Sequence, residues 1–251
     1  MRKIIVTLAA LLMCIGAFCQ NGYKKASFTY GGVTLPYRYL EPNVKQNECY
    51  PLVLFLHGAG ERGNDNQAQL IHGSDLFLNN AKQFPAYVVF PQCPKEGYWA
   101  YSSRPESFNP HMMPESCPET PEIEAVMALV DYFIANKNVD TSRLYLVGLS
   151  MGAMAIYDIL IRYPNRFAAA ESICGTVNPA RLGGNIVTSI RIFHGDVDNV
   201  VPVEASREAY ATLDWMGVDV EYIEFPGVNH GAWTPAFKRD DFLSWLFSHS
   251  L

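Results

Sequence analysis

The G-L-S-M-G segment at 148–152 is the strongest candidate for chemistry in the 251-residue sequence. It follows an apolar run at 143–147 that is typical of a strand and precedes a helical pattern at 151–163. A serine on such a strand–turn–helix connection is exposed next to the N–H groups that begin the helix. We therefore predict that Ser150 is a nucleophile; the alternative is an ordinary turn with a capping serine.

A serine hydroxyl is a weak nucleophile near neutral pH unless a base accepts its proton. His230 lies in a G-V-N-H-G segment just past the last predicted strand, where a glycine-flanked histidine can project over a sheet. His249, at the C-terminus, and His194, at the end of a predicted strand, are the alternatives. We predict that His230 is the base.

The base needs an acid that fixes its tautomer and stabilises the imidazolium form. The segment H-G-D-V-D-N-V-V-P at 194–202 follows a predicted strand and supplies two aspartates, Asp196 and Asp198. Either of them reaches the same edge of the sheet as Ser150. The residues alone leave the choice open.

The loop H-G-A-G-E-R-G at 57–63 follows a predicted buried strand and matches the G-x-G-x-x-G pattern of dinucleotide sites. We reject that interpretation because the loop comes after an N-terminal hairpin and no clean helix starts inside it. Glycines also let a main chain approach a substrate closely. We predict that the backbone N–H groups of Ala59 and Met151 stabilise an oxyanion, and that Glu61 and Arg62 shape the pocket or lie on a solvated loop.

Three aromatic residues are candidates for lining an acyl or sugar pocket. Trp233 is only three residues after His230 and must lie near the site, whereas Trp99 and Tyr101 belong to an irregular segment rich in aromatics. Their alternative role is packing in the core.

Strand and helix patterns alternate along the chain. The alternation predicts an α/β fold of three layers, with a mostly parallel sheet, an N-terminal antiparallel hairpin and helices on both faces. The predicted hairpin covers 27–39; the other strands are 51–56, 86–90, 143–147, 167–173, 190–193 and 220–225; the helices are 121–136, 151–163, 203–216 and 240–248. Residues 91–120 read as a long irregular excursion.

Composition narrows the class of protein. Hydrophobic residues make up 49% and charged residues 18%, which supports a large core. A net charge of −6 without a basic run disfavours a nucleic-acid partner. No cysteine or histidine spacing typical of a zinc site is present.

The first 19 residues read as a secretory signal peptide. Two basic residues precede an apolar stretch at 4–18 that is too short to span a bilayer, and Cys19 ends a segment resembling a cleavage site. We expect a single catalytic domain at 20–251, secreted or periplasmic and without a membrane span. A surface lipoprotein attached through Cys19 is less favoured because the bulky Phe18 precedes it.

Export permits disulfides among the four remaining cysteines. Cys93 and Cys117 flank one loop and are the favoured pair; the alternative is that Cys49, Cys93, Cys117 and Cys174 are all free.

Five segments together resemble a group of bacterial esterases and peptidase-like proteins of the α/β-hydrolase superfamily. They are L-H-G-A-G-E-R-G at 56–63, P-Q-C-P at 91–94, G-L-S-M-G at 148–152, H-G-D-V-D-N-V-V-P at 194–202 and N-H-G-A-W at 229–233. The chain is similar also to feruloyl and acetylxylan esterases, polyhydroxybutyrate depolymerases, dienelactone hydrolase-like proteins and the catalytic domains of prolyl oligopeptidases.

The resemblance implies ester hydrolysis through an acyl-serine, without a metal or an organic cofactor, and with Asp198 as the acid and Asp196 as a turn residue. The leading hypothesis is a secreted carboxylesterase that takes a small-molecule or polysaccharide-linked ester and removes acetyl or feruloyl groups from plant polysaccharide. The alternatives are a serine peptidase of the prolyl oligopeptidase type, which usually carries a gating domain that we do not expect here, and a non-catalytic binding protein on a hydrolase scaffold. The intact set of Ser150, Asp198 and His230 disfavours the last.

Overall fold

A computed structural model of the protein describes residues 22–251; the predicted signal peptide lies outside the described residues. The strands are β1 Lys24–Tyr30, β2 Val33–Leu40, β3 Tyr50–Leu56, β4 Tyr87–Pro91, β5 Val139–Leu149, β6 Ala169–Ile173, β7 Ser189–Gly195 and β8 Val220–Phe225. They form one sheet in the order β1-β2-β4-β3-β5-β6-β7-β8. β1 and β2 pair antiparallel, as do β2 and β4, and the remaining pairs are parallel.

The helices are α1 Ser74–Asn80, α2 Pro121–Asn136, α3 Met151–Arg162, α4 Glu204–Trp215, α5 Trp233–Ala236 and α6 Phe242–Phe247. α2 has the bounds that the sequence predicts because Thr120 caps it, accepting a hydrogen bond from the Ile123 N–H at 3.2 Å, and Pro121 occupies the first turn. Within residues 22–251, no helix combines the length and the apolar character needed to cross a bilayer.

Side chains of the central strands alternate between the two faces of the sheet. On β3, Leu52 and Leu54 pack in one cluster with α2, α3 and α4, while Val53 and Phe55 pack in another with α1 and α6. Continuous burial of a strand on both faces is typical of parallel sheets covered by helices. The three-layer fold class predicted from the sequence is therefore confirmed.

Residues between β4 and α2 form the predicted irregular excursion, which contains one 3₁₀ turn, Pro110–Met112. The sequence did not predict α1 or α5. Both helices are short, with seven and four residues, and each buries only one side chain, so neither carries an apolar periodicity that a sequence pattern reveals.

The favoured disulfide is not formed, since Cys93, Cys117 and the other two cysteines of the described residues are free. Cys93 is buried beside His57, to which its N–H donates at 2.9 Å. The Cys117 thiol instead faces the carbonyl of Ala100 and the carboxyl of Asp158, at 3.5 and 3.7 Å. The two sulfur atoms thus have different neighbours.

Candidate active site

The turn from β5 to α3 holds Ser150 in a backbone conformation that residues other than glycine rarely adopt, with φ 51° and ψ −115°. A Cβ on Gly152 would lie 1.9 Å from the Leu56 carbonyl oxygen, and one on Gly148 would lie 2.6 Å from that of Gly152. The Ser150 N–H donates to the Ile173 carbonyl at 2.8 Å. Close packing of backbones around the turn therefore explains both glycines and fixes the serine.

Ser150, His230 and Asp198 form a continuous hydrogen-bonded line. His230 Nε2 is 3.0 Å from Ser150 Oγ, and His230 Nδ1 is 2.7 Å from Asp198 Oδ2. The three residues follow β5, β8 and β7, whose carboxyl ends meet at one edge of the parallel sheet. Such a line lets the histidine accept the serine proton while the aspartate holds the ring.

The structure also distinguishes the two aspartates. Asp196 Oδ1 accepts a hydrogen bond from the Gly227 N–H at 2.6 Å, so this side chain joins the two loops that carry Asp198 and His230. Asp198, and not Asp196, contacts the imidazole of His230.

Asp198 has several donors around a side chain with no exposed surface. Its Oδ1 accepts hydrogen bonds from the N–H groups of Val200 and Val201 at 2.8 and 3.0 Å. Burial by itself raises the pKa of Asp198, but hydrogen bonds from His194, His230 and these backbone groups outweigh it and hold the pKa below the usual range. The carboxylate is therefore ionised beside His230 at neutral pH.

A second histidine, which we considered from the sequence only as an alternative base, borders Asp198. His194 is fully buried at the end of β7. Its Nδ1 is 2.7 Å from Ser206 Oγ, and its Nε2 is 3.0 Å from the Val201 carbonyl oxygen and 3.2 Å from Asp198 Oδ2. The spacing of four residues between His194 and Asp198, within one motif, is the sequence feature that could have predicted their contact.

The loop after β3 passes close to the nucleophile. A Cβ on Gly58 would lie 3.6 Å from Ser150 Cβ. Ala59 opens the 3₁₀ turn Ala59–Glu61 and Met151 opens α3, and no described group accepts a hydrogen bond from the backbone N–H of either residue. Both donors are thus available to a ligand at Ser150.

Two side chains hold this loop in place. His57 is fully buried; its Nε2 accepts the Cys93 N–H, so Nδ1 carries the proton and donates to the Gly58 carbonyl at 2.6 Å. Burial lowers the pKa of His57 to about 4, with the Arg62 charge acting in the same direction. Arg62 donates to the carbonyls of Ala59 and Gly97, each at 3.0 Å. Its guanidinium therefore braces the loop against the excursion.

Trp233 is half-buried beside the base. Its ring meets the His230 ring edge-on at 5.7 Å and the His72 ring at 4.9 Å. His72 Nε2 lies 3.7 Å from Glu61 Oε1, while Glu61 Oε2 is buried without a hydrogen-bond partner. The same Oε2 lies 3.1 Å from the position of a Cβ on Gly58, so Glu61 faces the corner occupied by Ser150.

Trp99 and Tyr101 are both buried, which agrees with core packing, the alternative to a pocket-lining role. Trp99 is 0% exposed, packs on the His57 ring and donates to the His57 carbonyl at 3.2 Å. Tyr101 is 4% exposed and its hydroxyl accepts from Arg181 at 3.3 Å. It borders a cavity of about 410 Å³ within the excursion, whose lining includes neither Ser150 nor His230. Both aromatic side chains pack in the protein interior because the excursion folds over the core.

Cys174 lies directly behind the base. Its thiol donates to the His230 carbonyl at 3.4 Å, and burial raises the pKa of this thiol. Ligand atoms of Cys174, Asp198 and His230 lie within 4.8 Å of one another, the one such group among residues 22–251. Because both ring nitrogens of His230 already have protein partners, the absence of a metal stays our prediction.

Comparison with known proteins gives the chain a family. The profile of the Phospholipase/Carboxylesterase family matches residues 41–243. Carboxylesterase SOBER1 of Arabidopsis thaliana is 26% identical over 207 residues, which cover 77% of this chain and 88% of that protein. NocK of Nocardia uniformis subsp. tsuyamanensis is 26% identical over 172 residues, 68% of this chain and 46% of NocK.

Among solved structures, a thermostable esterase superposes with a TM-score of 0.82 at 32% identity. The match covers 92% of this chain and 64% of the esterase. This chain therefore spans only part of the length of the esterase, as it does of NocK. Because the profile covers most of the sequence, the chain belongs to the Phospholipase/Carboxylesterase family of α/β-hydrolases.

Proposed function

We propose that the protein is a serine carboxylesterase in which Ser150 is the nucleophile, His230 the general base and acid, and Asp198 the residue that orients the base. The observation that carries this proposal is the hydrogen-bonded line from Ser150 Oγ through His230 to Asp198 Oδ2, with steps of 3.0 and 2.7 Å. Family membership supports it independently.

The reaction has two halves. Ser150 Oγ attacks the ester carbonyl carbon while its proton passes to His230 Nε2; the protonated histidine then gives that proton to the departing alcohol, leaving an acyl-serine. In the second half, His230 takes a proton from water, the hydroxide attacks the acyl carbon, and the proton returns to Ser150 Oγ as the carboxylic acid leaves. Asp198 stabilises the imidazolium in both halves.

The negative oxygen that forms in each half needs donors that are already in place. The N–H groups of Ala59 and Met151 fill this role, since Ala59 follows Gly58, which lies beside Ser150, Met151 is the residue after Ser150, and neither N–H has a described acceptor. Arg62 contributes by holding the Ala59 carbonyl, and we therefore assign it a positioning role in place of direct contact with substrate.

The substrate side is formed by Trp233, His72 and Glu61. A half-buried indole next to the base offers a flat apolar surface to an aromatic acyl group or a sugar ring, and Glu61 offers acceptor oxygens to a hydroxyl group. These features favour our more specific proposal, which is removal of acetyl or feruloyl groups from a plant polysaccharide.

A substrate panel tests the activity. Purified protein is given p-nitrophenyl esters of graded acyl length, methyl ferulate, acetylated xylo-oligosaccharides and peptide p-nitroanilides, with Ser150→Ala as the reference. We expect ester cleavage that Ser150→Ala lacks. Faster cleavage of amides than of esters would assign the protein to the peptidases, and no cleavage by the folded wild-type protein would support a binding role.

Export to the periplasm or medium is a separate proposal that rests on residues 1–19. N-terminal sequencing of protein recovered from periplasm and medium tests it. The expected first residue is Gln20, and an intact Met1 in the cytoplasmic fraction would contradict export.

A further inference from the structure

We propose that His194 is a positioning residue for the acid, so that the hydrogen-bonded line extends from Ser206 through His194 to Asp198 and on to His230 and Ser150. This inference rests on the proposed function, because it assigns His194 an effect on the residue that orients the base. It adds a buried residue that does not touch the substrate.

The proton on His194 Nε2 follows from the neighbours of that atom. Nε2 faces the Val201 carbonyl oxygen at 3.0 Å and Asp198 Oδ2 at 3.2 Å, and neither of these oxygens can donate. Nε2 must therefore carry hydrogen, which lies between the two acceptors. Asp198 Oδ2 accepts from His230 as well, so one oxygen lies between two imidazole N–H groups.

The opposite side of the His194 ring is attached to a rigid element. Nδ1 is 2.7 Å from the hydroxyl of Ser206, which is buried in the first turns of α4. The helix and the strand β7 thus fix the ring from two directions. A ring fixed in this way sets the position of the loop 198–201, because it contacts both the first and the last residue of that loop.

Few other charged or titratable groups act on this line. Cys174 faces Asp198 from the end of β6, and Glu224 is the cross-strand partner of His194 on β8. Glu224 is already paired with Arg207 and Tyr222, at 2.8 and 2.6 Å. His194 is therefore the one imidazole besides His230, among the described residues, whose hydrogen reaches Asp198.

Two substitutions separate the two ends of the His194 ring. His194→Asn keeps an acceptor near Ser206 but is too short to donate to Asp198, whereas His194→Gln keeps a donor at the position of Nε2 and loses the contact with Ser206. We expect His194→Asn to lower kcat by about 10- to 100-fold with little change in KM, and His194→Gln to retain most of the activity.

The pH profile supplies a readout that simple loosening of the fold would not move. Without the donor, Asp198 holds more negative charge towards His230, so the acid limb of kcat/KM moves to higher pH by about half a unit to one unit in His194→Asn but not in His194→Gln. His111→Asn is the matched control, since His111 also pairs with a carboxyl group, Glu208 at 2.9 Å, but is exposed and away from Ser150.

Active wild-type protein with an unmoved acid limb in His194→Asn would overturn the role of His194 and leave the proposed function intact. Inactive wild-type protein that fluorophosphonate does not label would instead reject the proposed function. If His194→Asn does not fold, long-range ¹H–¹⁵N spectra of the wild type decide: we expect a protonated Nε2 on His194, and an unprotonated Nε2 would overturn the inference.

Discussion

The two sides of Ser150 differ in how completely their polar groups are paired. On the acid side, which comprises the end of β7 and the loops after β7 and β8, Asp198 and His194 each have hydrogen-bond partners at both ends. On the oxyanion side, which is the loop 57–63, the N–H of Ala59 and one oxygen of Glu61 have no described hydrogen-bond partner. Buried polar groups are normally paired, so we expect a bound ligand to supply the partners that this side lacks.

The contrast indicates that the two sides have different functions. The polar groups of the acid side are already paired with other protein groups, which suits residues that must transfer a proton repeatedly over fixed distances. The oxyanion side is held in place by His57 and Arg62, but the Ala59 N–H and Glu61 Oε2 have no described hydrogen-bond partner. Substitutions on the two sides are therefore expected to fail in different ways.

The largest effect is expected where the two sides meet, at the nucleophile. Ser150→Ala should lower kcat for p-nitrophenyl acetate by about 10⁴-fold or more, because the acyl-serine cannot form. Ser244→Ala, an exposed serine on α6, is the control and should be unchanged. A Ser150→Ala protein within tenfold of wild type would refute the assigned role.

The second-largest effect is expected at the close backbone contact between Gly152 and Leu56. Gly152→Ala would place a Cβ 1.9 Å from the Leu56 carbonyl oxygen, which immediately precedes the oxyanion loop. We expect a loss of about 3 kcal/mol in the free energy of unfolding, measured with urea. Gly183→Ala, which has no atom within 4 Å of the added carbon, should change it by less than about 0.5 kcal/mol. Equal losses would show that the contact is not the cause.

Glu61→Gln tests whether the unpaired side recognises hydroxyl groups. We expect kcat/KM for an acetylated xylo-oligosaccharide to fall about three- to tenfold, the value of one hydrogen bond, while p-nitrophenyl acetate is nearly unaffected. Glu96→Gln, at an exposed glutamate of the excursion, serves as the control. A similar fall with both substrates would point to disruption of the loop instead.

The smallest expected effect concerns stability alone. The two sides should differ in the pH range over which they lose stability. The pKa of His57 is lowered by burial from 6.5 to about 4, so between these values the unfolded chain binds a proton that the folded chain does not. Stability therefore decreases as pH falls through this window. Asp198, whose pKa is depressed, loses its contribution only as pH falls below the ordinary carboxyl value of 3.8.

Urea unfolding from about pH 7 to pH 4 checks this prediction, with His57→Gln expected to flatten the decrease. His249→Asn is the control because His249 is near the C-terminus and partly exposed. An unchanged slope in His57→Gln would mean that other groups cause the acid sensitivity.

The sequence predicted most of the fold because the strands and long helices have strong apolar patterns. The bounds of α2 follow from a capping threonine and a proline, whose physical effects are local. The helix α1 was missed because only Phe77 is buried on it. Packing against the sheet stabilises this helix, and a short sequence window does not contain that information.

The position of the nucleophile was predictable because close packing of the backbone favours glycine on both sides of it. Gly148 and Gly152 mark the position of Ser150, and the structure brings that residue together with His230 and Asp198. Asp196 and Asp198 were not separable from the residues alone, since both follow β7 and only the direction of each carboxyl differs.

The contact of His194 with Asp198 and the burial of Trp99 were not predicted, for a related reason. Each depends on what surrounds the side chain in space. His194 looks like any polar residue at a strand end, and Trp99 lies in an irregular segment that resembles a surface loop until it folds over His57.

Chemical labelling of the nucleophile tests the central claim most directly. Wild-type protein is treated with a fluorophosphonate, and the intact mass and the labelled peptide are determined beside those of Ser150→Ala and His230→Ala. We predict one adduct, on Ser150, with full loss of esterase activity, no adduct in Ser150→Ala and much slower labelling in His230→Ala. An active enzyme that stays unlabelled at Ser150, or that is labelled at another residue with equal loss of activity, would contradict the account.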